Sequence, residues 1–182
     1  MKEKDEDLYL RCYMDKEIEA LEILIDRYRE SLTMFLYGII GNMEDAEELA
    51  IDTFALLIYG NAIYKVQKGC SFKTWLYSVG RKQALLRLRK RKFFSVPLTN
   101  QTDLSQSSPE DIVFKEDRDR ELHRALSQLK DEYRQVLYLL YFEGMSHEEI
   151  AGVMKKSIKQ VYNLASRGRR SLEEILRGKG FS

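Results

Sequence analysis

Between Arg81 and Lys92 the chain places Arg81, Lys82, Arg87, Arg89, Lys90, Arg91 and Lys92 within 12 residues, with no acid among them. Such a run repels itself in water and gains by lying along a phosphate backbone, where each contact releases condensed counterions. A second set, Lys159, Gln160, Asn163, Ser166, Arg167 and Arg170, recurs near the C-terminus at helical spacing. Its amides and hydroxyl are groups that read base edges, and its guanidiniums suit phosphates. The chemistry implied is recognition of a polyanion, not bond making. No glycine-rich phosphate loop, no clustered metal-binding carboxylates and no His, Cys or Ser constellation occurs, so no enzyme activity, catalytic residue, metal site or cofactor is expected. Cys12 and Cys70 lie far apart, as do His123 and His147, which fits free thiols in a reducing cytoplasm better than zinc.

The neighbours of these residues name the elements that must position them. Ser146 with Glu149, and Ser157 with Gln160, repeat one reciprocal capping pattern 11 residues apart, so two helices start there across a tight turn. Ile150, Ala151 and Met154 face inward from the first; Ile158, Val161, Ala165 and Leu172 do so from the second. The polar set from Lys159 to Arg170 is left outside, which makes a helix-turn-helix suited to the major groove; a merely solvated helix is the plainer alternative. Tyr162 either packs against the domain or touches a thymine methyl. Upstream, the Ser71 hydroxyl caps a long helix in which Phe72, Trp75, Leu76, Val79, Leu85 and Leu88 are apolar and the second half carries the seven cations. Phe72, Trp75 and Tyr77 beside cations suit stacking of single-stranded bases, although a lone Trp at helical spacing reads equally well as core.

The rest of the chain reads as helix throughout. With 182 residues, 44% of them apolar, only two prolines, and apolar residues recurring at threes and fours, an all-α fold is expected. The net charge of +1 conceals a division: residues 1–60 hold 15 acids against 6 cations, whereas 61–94 hold 10 cations and no acid. Two different partners are implied, one of them polyanionic. Asp15 is expected to cap a helix to about Ile40 with Ile18, Leu21, Leu24, Ile25, Tyr28, Leu32, Phe35, Leu36 and Ile39 inward. Asn42 with Asp45 starts another to about Gly60, with Ala46, Leu49, Ala50, Thr53, Leu57 and Ile58 inward and Asp45, Glu47, Glu48 and Asp52 outward. Periodicity vanishes from 95 to 108, a flexible linker. Ser108 and Pro109 open a helix to about Gln128, and Asp131 to Phe142 form the next, closed by Gly144. Two small helical domains, 1–94 and 109–182, result. No apolar run approaches the roughly 20 residues that a bilayer requires, and the acidic start is unlike a signal peptide, so a soluble cytoplasmic protein with no membrane insertion is expected.

With these pieces in place the chain resembles an extracytoplasmic-function sigma factor, the small two-domain class of bacterial transcription initiation factor. The stretch from Glu44 to Phe54 resembles the region 2 helix that binds the β′ clamp helices of core RNA polymerase, and Ser71 to Arg81 resembles the segment that opens and reads the minus-ten element. Ala125 to Leu129, Arg134 to Leu139, Glu143 to Ser146 and Glu149 to Ala151 resemble region 4, whose recognition helix reads the minus-thirty-five element. The resemblance implies polymerase binding, β subunit included, through Asp45, Glu47, Glu48, Asp52 and Phe54. It implies minus-ten contacts by Phe72, Lys73, Trp75, Arg81, Lys82, Arg87 and Arg89. Contacts to the minus-thirty-five element fall to Lys159, Gln160, Tyr162, Asn163, Ser166, Arg167 and Arg170, and an anti-sigma factor is a further expected partner. Ile51, Lys82, Leu86, Lys130, Tyr162 and Leu164 depart from the residues usual in the family. A helix-turn-helix regulator that never enters polymerase is the main alternative, and the acidic helix preceding the basic one argues against it.

Overall fold

A computed structural model describes residues 3–60, 62–65, 69–94 and 117–178, and these form eight helices with no extended strand among them. In chain order the helices are α1 (Asp5–Met14), α2 (Ile18–Ile40), α3 (Met43–Tyr59), α4 (Phe72–Phe94), α5 (Asp117–Ser127), α6 (Asp131–Tyr141), α7 (His147–Met154) and α8 (Ile158–Gly178). The linker 95–108 and the Ser108–Pro109 helix start lie outside the described residues, and the described part of α5 begins at Asp117.

Capping residues fix several ends. The Asn42 side chain accepts from the Asp45 N–H at 2.9 Å to start α3, and the Ser71 hydroxyl accepts from the Thr74 N–H at 3.2 Å to start α4. Gly41 ends α2 at φ 75° and Gly60 ends α3 at φ 70°, left-handed conformations that glycine adopts without steric penalty. Asp15 does not cap α2, contrary to expectation. It is the C-cap of α1, a helix opened by Asp5, Glu6 and Asp7 at its positive end, and α2 begins three residues later with no side-chain cap.

The first four helices pack around Leu24, Leu32, Phe35, Leu36, Leu49, Leu57, Phe72, Leu76 and Tyr77, all buried. Gly80 lets α4 approach α2 closely: a Cβ there would stand 3.1 Å from Leu32 Cδ1. Ile18, Ile58 and Ile158, expected inward, are exposed at the rims of their stripes. A smaller core of Ala125, Leu126, Leu129, Leu137 and Leu172 joins α5, α6 and α8, with Gly168 letting α8 close on Tyr133 and Leu137.

The two helical groups do not merely share a tether. Val136, Tyr138, Leu139, Met145, Ile150 and Val153 belong to the same continuous apolar cluster as α2 and α4, so α6 lies on α2 and α7 lies on α4. A linker that permits two independent domains equally permits them to dock, and linear sequence carries no signal for which occurs.

Candidate nucleic-acid interface

Both capping boxes of the helix-turn-helix form. The Ser146 hydroxyl accepts from the Glu149 N–H at 3.2 Å while the Glu149 carboxylate accepts from the Ser146 N–H at 2.9 Å. Ser157 and Gln160 repeat this at 3.2 and 2.8 Å. Between them Lys155 turns the chain at φ 52°. Val161, Ala165, Gly168 and Leu172 face the core, so Lys159, Gln160, Tyr162, Asn163, Ser166, Arg167 and Arg170 are exposed together on the outer side of α8. One detail restricts their chemistry. Gln160 Oε1 is committed to the cap, so the bidentate amide pairing that reads adenine, which needs oxygen and nitrogen together, is open to Asn163 and not to Gln160 while the box is closed.

The residues expected at the minus-ten element are placed less uniformly. Phe72 is fully buried among Tyr9, Tyr28, Tyr64 and Trp75, with ring centroids 5.6 to 6.1 Å away. It has no free face for a base, and the expectation that it stacks on one is corrected. Trp75 is half-buried against Tyr9 at 5.7 Å and Tyr64 at 5.6 Å, an edge of the same aromatic cluster. Lys73 Nζ donates to the Glu143 carbonyl at 2.7 Å and lies 3.0 Å from Glu143 Oε2. Arg81 Nε donates to Gln135 Oε1 at 2.8 Å, and burial pushes its guanidinium below its ordinary range without discharging it. Ser71 and Thr74 hydroxyls each lie 3.4 Å from Glu149 Oε1, the carboxylate that caps α7. Thus α6 and α7 cover the first half of α4. Lys82 and Arg89 are exposed.

Two cations of the α4 run find acids, though neither acid is nearby in sequence. Arg87 lies 3.3 Å from Asp45 and 2.9 Å from Glu48, and Arg91 pairs with Asp45. The hydrogen bond from Arg87 holds the Glu48 carboxyl below the usual carboxylate range. Two of the acids expected to meet polymerase, Asp45 and Glu48, therefore pair with α4, although Glu48 stays exposed, as do Glu47 and Asp52. Phe54, expected in the same contact, is buried in the core and supports α3 from within, which corrects that assignment. Sequence reasoning missed the apolar residues among the acids: Ile51 is 56% exposed and Tyr59 76% exposed on α3. It also missed Gln135 and Glu143 as partners of α4, since 54 and 70 residues separate the paired positions.

The fold and this surface define a class: an all-helical arrangement of two docked helical groups with a helix-turn-helix in the second, whose outer face from Lys159 to Arg170 carries no acid. No described helix is long and apolar enough to cross a membrane. Residues 24–94 match the family described as Sigma-70 region 2, and residues 119–172 match Sigma-70, region 4. The chain is similar to the ECF RNA polymerase sigma factor SigW of Bacillus subtilis, 25% identical over 170 residues that span 87% of this chain and 90% of SigW. It is also similar to the RNA polymerase sigma factor YlaC of the same organism, at 27% identity over 87% of this chain and 93% of YlaC. The fold is shared with the sigma factor RpoE of Bartonella quintana in its co-crystal with the anti-sigma factor NepR, with TM-score 0.65, 19% identity and coverage of 88% of this chain and 98% of that one. CnrH in complex with the cytosolic domain of CnrY gives TM-score 0.65 at 21% identity, covering 96% and 97%. The chain belongs to the sigma-70 family, in its extracytoplasmic-function group, and is a transcription initiation factor.

Proposed function

We propose that this chain recruits core RNA polymerase through the α3 surface and delivers it to promoters through α4 and α8, catalysing no reaction of its own, in the cytoplasm. The observation that carries the reading is the outer face of α8 from Lys159 to Arg170, which holds no acid and is set on two closed capping boxes. Asn163 is assigned to a base edge, Arg167 and Arg170 to phosphates as the helix leaves the groove, and Ser157 places the positive end of α8 toward the backbone. Polymerase meets Glu47, Ile51, Asp52 and Tyr59, acids and apolar groups that are all exposed on α3. Lys82 and Arg89 supply phosphate contacts in the free chain, and Lys73 and Arg81 join them once α6 and α7 move off α4. The domains are assigned as 1–94 and 109–182 with 95–108 between them. A small protein that clasps both, of the anti-sigma kind found with RpoE and CnrH, is the expected regulator.

Run-off transcription from genomic fragments with core polymerase plus the purified chain tests this. Specific transcripts whose start points share two upstream sequence elements are expected. A chain that binds DNA fragments but neither binds core polymerase nor starts transcripts is instead a helix-turn-helix regulator.

A further inference from the structure

The head of α8 carries one aromatic that its capping and core roles do not explain. Tyr162 is 53% exposed, and its ring lies flat on the imidazole of His147 at the start of α7, with centroids 4.0 Å apart and planes 11° from parallel. Its neighbours along the helix face are Lys159, three residues back, and Ser166, four residues on, both exposed. Two turns further along this edge, Arg169 is tied back by its bond to the Tyr141 hydroxyl at 2.8 Å, whereas no described residue holds the hydroxyl of Tyr162. One face of the Tyr162 ring is covered by His147, and the remainder looks outward between groups already assigned to DNA.

We propose that Tyr162 is a specificity-determining residue that contacts a thymine methyl in the upstream promoter element, and that His147 is the positioning residue that fixes its ring. This rests on the reading of α8 as the promoter helix. A lysine at such a position would meet phosphate as a mobile point charge and carry no sequence information. A tyrosine braced on one face has few rotamers to lose, presents an apolar edge that suits the C5-methyl of thymine, and adds no charge to the salt dependence. His147 reaches no base in this arrangement. It acts through the ring, from α7, so the turn between the two helices sets the reading geometry.

Holoenzyme made from core polymerase and the full chain is scored on a promoter library randomised over the upstream element, together with probes in which each thymine in turn is replaced by deoxyuridine, which lacks only the methyl. The wild type should lose roughly 3- to 5-fold in affinity at one thymine, the worth of one buried methyl. Tyr162→Ala should abolish that discrimination and His147→Ala should reduce it. His147→Phe keeps a stacking ring and should restore it. A methyl preference that survives Tyr162→Ala, or one that His147→Ala leaves intact, overturns the proposal. If Asn163→Ala shifts base preference while the Tyr162 and His147 variants do not, α8 reads DNA without this pair. If none of the three shifts preference, the reading of α8 fails as well.

Discussion

At the residue scale, side chains that look alike in sequence divide by what already holds them. Gln160 and Asn163 both carry amides on the outer face, yet Gln160 closes a capping box and Asn163 is uncommitted. Asn163→Ala should therefore cost roughly 1 to 3 kcal/mol on the preferred promoter and relax the choice at one base pair. Arg170→Ala should weaken all promoters about equally, and a promoter-variant library separates the two. Trp75 poses the same question upstream. Its contacts with Tyr9, Tyr64 and Phe72 make it an edge of the core before it can be a base platform. Trp75→Ala should destabilise the free chain by about 3 kcal/mol, the low end for removal of a large aromatic because the residue is only half-buried. A thermal melt should then fall by roughly 10 °C. A variant that melts normally but fails to open promoters would restore Trp75 to a purely DNA-facing role.

At the scale of elements, what was legible in the sequence is what is local. The Asn42, Ser71, Ser146 and Ser157 caps, the αL glycines at 41 and 60 and the buried stripe of α8 all depend on residues within four positions of one another. Helix α1 was not legible because only Leu8, Tyr9 and Cys12 of its ten residues reach the core. The cation run of α4 was read as uncompensated because its acids, Asp45 and Glu48, come from the helix before. That pairing separates two arginines that sequence alone treats as equals. Arg89→Ala should lower the salt slope of promoter binding by roughly 0.7 to 0.9, one phosphate contact. Arg87→Ala should lower it less, since DNA must first draw Arg87 from Asp45 and Glu48. Slopes from binding titrations at several salt concentrations check this, and equal slopes for both variants would show that the α3–α4 pairs do not persist on DNA. Tyrosines set an alkaline limit. Burial, aided by the Glu143 charge, raises Tyr77 and Tyr138 well above the ordinary value near 10. A raised folded-state pKa stabilises below the unfolded value and loses that stability as pH rises, so unfolding should set in above about pH 10. Tyr138→Phe, which removes the bond to the Ser31 carbonyl, should blunt that loss in a pH-dependent denaturation series.

At the scale of the whole molecule, α4, if it meets promoter DNA as proposed, is partly covered by the docking of α6 and α7 on it. Glu143 is the centre of that contact: its carboxylate side chain is 6% exposed and meets Lys73 at 3.0 Å, while its carbonyl accepts from the same ammonium. Thr74 touches the helix that carries Gly152 so closely that a Cβ on Gly152 would stand 3.3 Å from Thr74 Cγ2. On the proposed reading of α4 these contacts compete with promoter DNA, and the apparent affinity of α4 is then reduced by whatever fraction of molecules is closed. Glu143→Gln keeps the shape but removes the charge, and a hydrogen bond to a charged group is worth about 1.5 to 3 kcal/mol. The open fraction should rise roughly 10- to 150-fold for as long as closed molecules predominate. Gly152→Phe tests the same contact by wedging it, without touching any residue assigned to DNA. Both variants should increase the radius of gyration measured by small-angle scattering and tighten binding of the free chain to a forked minus-ten probe, while leaving the far-UV helical signal in place. Should radius and probe affinity both match the wild type, the docked arrangement does not limit access to α4, and Lys73 and Arg81 are as available in the free chain as Lys82 and Arg89.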